Sequence, residues 1–360
     1  MLRSLNAHSD KECRGMCTKN VSKVVDEIQP LGDVFELLVV RTYICEIGLS
    51  PQVEPGERFG CMLYVDSVFR RCCEAAGVLY RCFLEARPAV QGIFLLRFLA
   101  GASFANPLVV GGVKLSLLIG AALWVCATLS VYIFNGVMDV EEDRINGSSR
   151  PVARGKLKIA HATGVTGGLA ALSVIGSFGL GSTMVWSVVA LLALGWLYSG
   201  PPFYLKRSPT GWTIMGIIVA YITYNVGYVA NGGGSAVYSL FIFATIMALW
   251  LGLVSQTKDL SDIEGDKQAG RRSGPVIWGE NAARLVYSGV ALSLGGGYIL
   301  AAAFFAPGLL IPALVLALGA VVVTAIALGP WSRGEKSRRR KPYKAFMLTQ
   351  YGANLAVVLC

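Results

Sequence analysis

The sequence predicts an all-α, polytopic membrane protein of nine spans, and three observations predict it. Of the 360 residues, 54% are hydrophobic and only 15% are charged, against about 25% charged in ordinary soluble domains. Apolar runs recur along the chain at the ~20-residue length that crosses a hydrocarbon core. The basic residues fall in every second loop between those runs, which is how topology is written in a membrane protein. The net charge of +10 therefore belongs to loops that face one leaflet and its anionic lipid. No basic patch interleaved with aromatic residues lies outside those loops, so nucleic acid is not an expected partner.

Residues 1–84 form a polar, cysteine-containing extension with the composition of a partly disordered segment. No apolar h-region follows the start, so no secretory signal is recognisable. Pro30, Pro51 and Pro55 interrupt any long helix. From Cys61 to Leu84 the chain reads as an amphipathic helix on the membrane surface, with Arg70, Arg71 and Arg81 on its polar side. Cys13, Cys17, Cys45, Cys61, Cys72, Cys73 and Cys82 are irregularly spaced. They lack the second matching pair that a zinc framework needs and read as reduced thiols.

Residues 85–360 make up the membrane domain. Pro88 opens the first span, about 88–106, which carries Arg97; an arginine at mid-span faces a bundle interior or a cavity. The second span, about 114–136, delivers Asn135 and an acidic stretch. The third and fourth, about 160–180 and 183–199, are separated by a tight turn at Gly181. Pro201 and Pro202 then break the chain at the membrane edge, before Lys206 and Arg207. The fifth span, about 212–230, carries Tyr221, Tyr224, Asn225 and Tyr228. The sixth, about 237–257, leads into a second acidic stretch. The seventh and eighth cover about 281–305 and 308–328, and a basic loop from Arg333 to Lys344 precedes the last, about 343–360. The loops after spans two, four, six and eight hold nearly all the Lys and Arg. This places the N-terminus and the charged loops in the cytoplasm and the C-terminus on the far side.

The two acidic stretches carry the chemistry. In Asn135-Gly-Val-Met-Asp139-Val-Glu-Glu-Asp143, the residues Asn135, Asp139 and Asp143 recur every four positions and stack on one helix face. In Asp259-Leu-Ser-Asp262-Ile-Glu-Gly-Asp266 the same spacing returns, with Asp259 three residues ahead. Two like charges 4 Å apart repel by about 4 kcal/mol at an effective dielectric of 20. Several such pairs on one face require cations. A divalent ion such as Mg²⁺, held by a few carboxylates and shared with phosphate oxygens, meets that need. A diphosphate is the natural bridging ligand, with Lys206, Arg150, and Arg207 or Lys258 available to clamp its oxygens. At a membrane, the rest of such a substrate is a lipid, and an allylic isoprenyl diphosphate fits both ends. Tyr198, Tyr221, Tyr224 and Phe134 stand at levels suited to an electron-rich wall for a developing cation.

Asn135-x₃-Asp139-x₃-Asp143, followed by Arg150-Pro151 and Gly155, resembles the first signature of the UbiA superfamily of intramembrane prenyltransferases. Asp259-x₂-Asp262-x₃-Asp266 resembles the second, and Tyr198-Ser-Gly-Pro201-Pro202-Phe-Tyr204-Leu-Lys206 resembles the Tyr/Lys element between them. The resemblance spans roughly residues 85–360. It implies a UbiA-like bundle of nine helices around a central cavity, and Mg²⁺-dependent transfer of a prenyl group from an allylic diphosphate to an acceptor, aromatic or another small molecule. By position it gives Asn135, Asp139 and Asp143 to one Mg²⁺, Asp262 and Asp266 with Asp259 to the other, and Lys206 to the diphosphate. Tyr198 departs from the pattern: Pro202 occupies the place four residues before the lysine, and Tyr198 lies one turn further back. Two other readings stay open, a terpene cyclase on the same scaffold and a cation or lipid transporter. Transport calls for acidic residues deep in the spans, whereas these sit at their ends. No obligate protein partner is evident.

Overall fold

The computed structural model describes residues 55–108, 114–145, 147–268 and 270–359, and these are all-helical. The chain divides between Arg81 and Cys82 into two units. In the first, helix α1 (Pro55–Glu85) begins, and it ends in the second. The expected surface helix from Cys61 to Leu84 falls inside α1. Expectations for residues 1–54, including Cys13, Cys17 and Cys45, lie outside the described residues.

The second unit is a helical bundle. Its spans are α2 (Pro88–Ala105), α3 (Leu115–Met138), α5 (Ile159–Ser177), α6 (Ser182–Ser199), α7 (Pro209–Ala230), α8 (Val237–Leu249), α11 (Glu280–Phe305), α12 (Leu310–Leu328) and α14 (Lys341–Leu359). Short helices α4 (Val140–Ile145), α9 (Ile263–Gln268), α10 (Gly274–Trp278) and α13 (Lys336–Arg339) lie between them. Among the described residues, eight helices are long and apolar enough to cross a bilayer. This makes the chain a multi-pass membrane protein. The ninth expected span, α14, is present but less apolar, because it turns polar side chains inward: Thr349, Gln350 and Asn354 are all buried. Its outer face still carries exposed Leu348, Leu355 and Leu359.

Packing follows from small residues where helices cross closely. A Cβ on Gly101 of α2 would run into the backbone of Tyr224 on α7. The Trp124 and Phe98 side chains fill one core, around α2, α3 and α6. Phe243, Trp250, Tyr298 and Phe346 fill another, among α7, α8, α11, α12 and α14.

The sixth span does not stay α-helical. After α8 it winds through a π turn, Trp250–Val254, and a 3₁₀ stretch, Ser255–Ser261. Such a change of pitch rotates the residues that follow, and π turns are frequent at functional sites. Here it positions Lys258 and Asp259 at the end of the bundle where the charged loops gather.

Candidate functional site

The first acidic stretch straddles a break between α3 and α4. Asp139 caps α3, and its amide donates to the Asn135 carbonyl at 3.0 Å; the Asp143 amide donates to the Asp139 carbonyl at 2.7 Å. These i→i+4 bonds cross the break, so the four-residue stacking survives it. The Asn135 amide holds the Asp139 carboxylate at 3.0 Å and the Ser199 hydroxyl at 2.9 Å. In the second stretch the Asp262 amide donates to the Asp259 carbonyl at 3.1 Å and the Asp266 amide to the Asp262 carbonyl at 2.8 Å.

The two stretches meet at Lys206. Its ammonium pairs with Asp139. The same side chain lines a cleft of about 40 Å³ with Asp259 and Asp266, together with Arg207, Lys258, Arg271 and Arg272. Lys206 is buried to 7% exposure. Burial first, then the Arg207 and Arg271 guanidiniums, push its ammonium down to about 8; the touching Asp139 carboxylate acts the other way. Arg271 reinforces the join, 3.8 Å from Asp266 and donating to the Lys206 carbonyl at 3.5 Å.

The other carboxylates are also held by cations. Arg150 lies 3.0 Å from Asp143, and Lys336 and Arg340 lie 3.3 and 3.6 Å from Asp262. Arg207 approaches Glu142 at 3.9 Å, and Arg339 holds Glu264 at 2.7 Å. These pairs join the loops after spans two, four, six and eight, so all four gather at one end of the bundle, as the alternation of basic loops requires.

Below this end lies a cavity of about 240 Å³, walled by α2, α3, α6, α7, the broken sixth span and α14. Its upper rim carries Asn135, Tyr198, Lys258, Arg87 and Arg340; Lys258 and Trp212 border both the cavity and the smaller cleft. The Lys258 ammonium sits over the Trp212 ring, 4.2 Å from its centroid. Of the four aromatic residues expected to form the wall, Tyr198 lines the cavity, and Tyr221, Tyr224 and Phe134 do not. Tyr224 is fully buried and donates to Asn354 at 2.8 Å. The aromatic lining comes instead from Phe94, Tyr132, Trp212, Tyr343 and Phe346.

Arg150 is where sequence reasoning sees least. It was expected at a diphosphate, but its guanidinium is occupied by protein. It pairs with Glu85 at 2.8 Å and Asp143 at 3.0 Å, and donates to the Tyr132 carbonyl at 2.8 Å and the Asn135 side-chain oxygen at 3.3 Å. Glu85 also accepts from the Val152 amide at 2.8 Å. Burial, then the nearby Arg87 charge, pulls the Arg150 guanidinium below its ordinary range, and Glu85 and Asp143 oppose this. Sequence reasoning missed Glu85, Arg87, Trp212 and Arg340. Arg87 precedes Pro88, which favours extended backbone, yet it has φ 58°, and nothing in the sequence signals that.

The sequence profile of the UbiA prenyltransferase family matches residues 94–351. The chain belongs to that family. Among curated proteins it is similar to the homogentisate phytyltransferase of Synechocystis sp., 30% identical over 190 residues, covering 50% of this chain and 59% of that one. It is also similar to the diterpene cyclase eriG of Hericium erinaceus, 26% identical over 185 residues, covering 47% of this chain and 56% of that one. The chain thus spans between half and three fifths of these relatives' lengths. Among solved structures, a UbiA homolog from Archaeoglobus fulgidus bound to GPP and Mg²⁺ shares the fold, with a TM-score of 0.58 at 18% identity, covering 78% of this chain and 100% of that one. The family match and the shared fold agree with the helical bundle described above.

The acidic stretches also offer the donor set Mg²⁺ takes: carboxylates and one amide oxygen, all hard ligands. Among the described residues, no three acidic side chains converge on one point.

Proposed function

We propose that this chain is a Mg²⁺-dependent intramembrane prenyltransferase, moving an isoprenyl group from an allylic diphosphate to an acceptor. The observation that carries the reading is Lys206: it pairs with Asp139 of the first acidic stretch and borders one cleft with Asp259 and Asp266 of the second. Lys206 thus links the first carboxylate set to a basic cleft lined by the second, at the mouth of a greasy cavity. The names of the Synechocystis and Archaeoglobus proteins support the same chemistry.

In this reading Asn135, Asp139 and Asp143 hold one Mg²⁺, and Asp259, Asp262 and Asp266 hold the other. Bound there, the ions stabilise negative charge as it develops on the departing diphosphate. Lys206 and Lys258 contact the diphosphate from the cleft that both line. Arg150 fixes Asp143 and Asn135 rather than touching substrate. Tyr198, Trp212 and Tyr343 line the cavity and supply aromatic rings that would stabilise positive charge on the allylic carbon. The acceptor attacks that carbon as the C–O bond to diphosphate breaks, and an aromatic acceptor then loses a ring proton. The charged end of the bundle, with the N-terminus, faces the cytoplasm.

The experiment is incubation of purified protein with labelled geranyl, farnesyl or geranylgeranyl diphosphate and Mg²⁺, with and without aromatic acceptors. Acceptor-dependent release of diphosphate is expected. A second reading, cyclisation, is favoured by the likeness to eriG, and a hydrocarbon product formed without any acceptor selects it. Ion flux in liposomes, with no diphosphate release from any substrate, rejects both.

A further inference from the structure

Tyr287 of α11 carries a hydroxyl that the fold buries without giving it a partner. The side chain is 2% exposed, and its phenolic oxygen meets no hydrogen-bonding group. A buried hydroxyl that bonds nothing costs free energy, so one kept in a core calls for a reason. The ring packs on Leu260 and Ala283, and Leu260 directly follows Asp259 in the 3₁₀ stretch. The hydroxyl lies against Gly274 of α10, where an added Cβ would collide with it. Tyr287 thus bridges the second acidic stretch and the loop that follows it. The Asp259 and Asp266 carboxylates are both within electrostatic range of the hydroxyl.

Asp259 has the complementary lack. The other aspartates of the two stretches are each held by a cation: Asp139 by Lys206, Asp143 by Arg150, Asp262 by Lys336 and Arg340, and Asp266 by Arg271. Lys258 and Arg271 act on the Asp259 charge from beyond pairing distance, and among the described residues no ion pair or hydrogen bond holds its carboxylate. A carboxylate that ligates a metal takes its orientation from outer hydrogen-bond partners. Here a carboxylate without a donor and a buried donor without an acceptor are neighbours of the same residue, Leu260. Ser273 also has a buried hydroxyl without a partner, but it lines the cleft and is open to a ligand there. Tyr287 lines neither the cleft nor the cavity, so it acts on the site through a protein group.

We propose that Tyr287 is the positioning residue of Asp259: with Mg²⁺ on the second carboxylate set, the phenol donates to one Asp259 oxygen and so aims the other at the ion. The proposal rests on the reading of this chain as a Mg²⁺-dependent prenyltransferase and adds to its site a residue from outside the acidic motifs. A phenol donating to an ionised carboxylate makes a charge-assisted hydrogen bond, strengthened where water is kept out.

The test uses the full-length protein in detergent, with Mn²⁺ as the probe ion. Its binding is read from the paramagnetic signal of the free ion, in the presence of an unreactive thio-diphosphate analogue of geranylgeranyl diphosphate. A wild type that binds neither ion nor analogue rejects the prenyltransferase reading itself. Given binding, Tyr287→Phe is expected to weaken Mn²⁺ affinity about 10–100-fold, the usual loss with an outer partner of a metal ligand. Turnover at saturating Mg²⁺ should stay within about threefold of wild type. In chelator the variant should melt within about 2 °C of wild type, because the deleted hydroxyl bonds nothing in the fold. In an Asp259→Ala background the same substitution should weaken Mn²⁺ binding by no more than about twofold further, since groups that act on each other are not additive. Unchanged Mn²⁺ affinity in Tyr287→Phe overturns the proposal. So does an equally large loss in the Asp259→Ala background, which gives the hydroxyl to another group. A Tyr287→Phe protein that fails to fold, or melts far earlier in chelator, overturns it too and makes the hydroxyl a structural one.

Discussion

Glu85 and Arg150 form an ion pair of 2.8 Å in which both side chains are shielded from solvent, at 0% and 4% exposure. The same guanidinium reaches Asp143 and Asn135, so the pair fixes two residues of the first acidic stretch. Removing one partner leaves the other charge buried and uncompensated, at a cost of about 3–5 kcal/mol. Glu85→Ala is therefore expected to lower the melting temperature in detergent sharply, with Glu85→Gln intermediate because it keeps an acceptor for the Val152 amide. An unchanged melting temperature in both would remove Glu85 from the architecture of the site.

The pair also explains a glycine. A Cβ on Gly136 would collide with the Glu85 carboxylate and the Arg150 guanidinium, neither of which has room to retreat. Gly136→Ala is expected to cost about 1–3 kcal/mol through this overcrowding and to impair turnover, since Asn135 and Asp139 flank it. Gly168→Ala, with nothing within reach of its Cβ, serves as the control on another span. Equal melting temperatures for the two variants would contradict the close approach.

Lys206 joins the acidic stretches, so its substitution should act on both. Lys206→Met is expected to reduce kcat/KM for the prenyl diphosphate by about 10²-fold, the usual loss on deleting a donor to developing negative charge. Lys206→Arg keeps the charge but adds a broad fork where the lysine is enclosed, and should recover only part. The measurement is initial rate against diphosphate concentration. An effect confined to the acceptor KM would show that Lys206 serves a different ligand.

Much of this was legible in the sequence, for identifiable reasons. The i, i+4 spacing of Asn135, Asp139 and Asp143 is a local property, and backbone bonds preserve it across the break at Asp139. The gathering of four loops at one end followed from where Lys and Arg fall between spans. The partner of Arg150 was not legible. Glu85 is a single acid outside any motif, and only the packing of the tertiary structure brings it against a residue 65 positions away. The aromatic wall was misassigned for a related reason. The inward face of α14 supplies Tyr343 and Phe346 to the cavity, and that facing leaves no mark in hydrophobic periodicity. Tyr224 and Tyr343 look alike in sequence, yet one is locked onto Asn354 and the other borders the cavity.

The final prediction separates metal-dependent chemistry from simple anion capture by the basic cleft. Asp139 is held by Lys206, and Asp262 by Lys336 and Arg340. Deleting either carboxylate releases cations that can themselves attract a diphosphate. Asp139→Ala and Asp262→Ala should therefore keep measurable affinity for an unreactive diphosphate analogue, within about tenfold of wild type, while turnover falls by at least about 10²–10³-fold. Chelation of divalent ions should reproduce this split in the wild type, and added Mg²⁺ should reverse it there but not in either variant. The two substitutions combined should cost little more than one alone, because residues acting as a unit are not additive. Near-normal turnover in both single variants, or full turnover under chelation, would withdraw these carboxylates from the chemistry and leave the cleft as an anion-binding surface only.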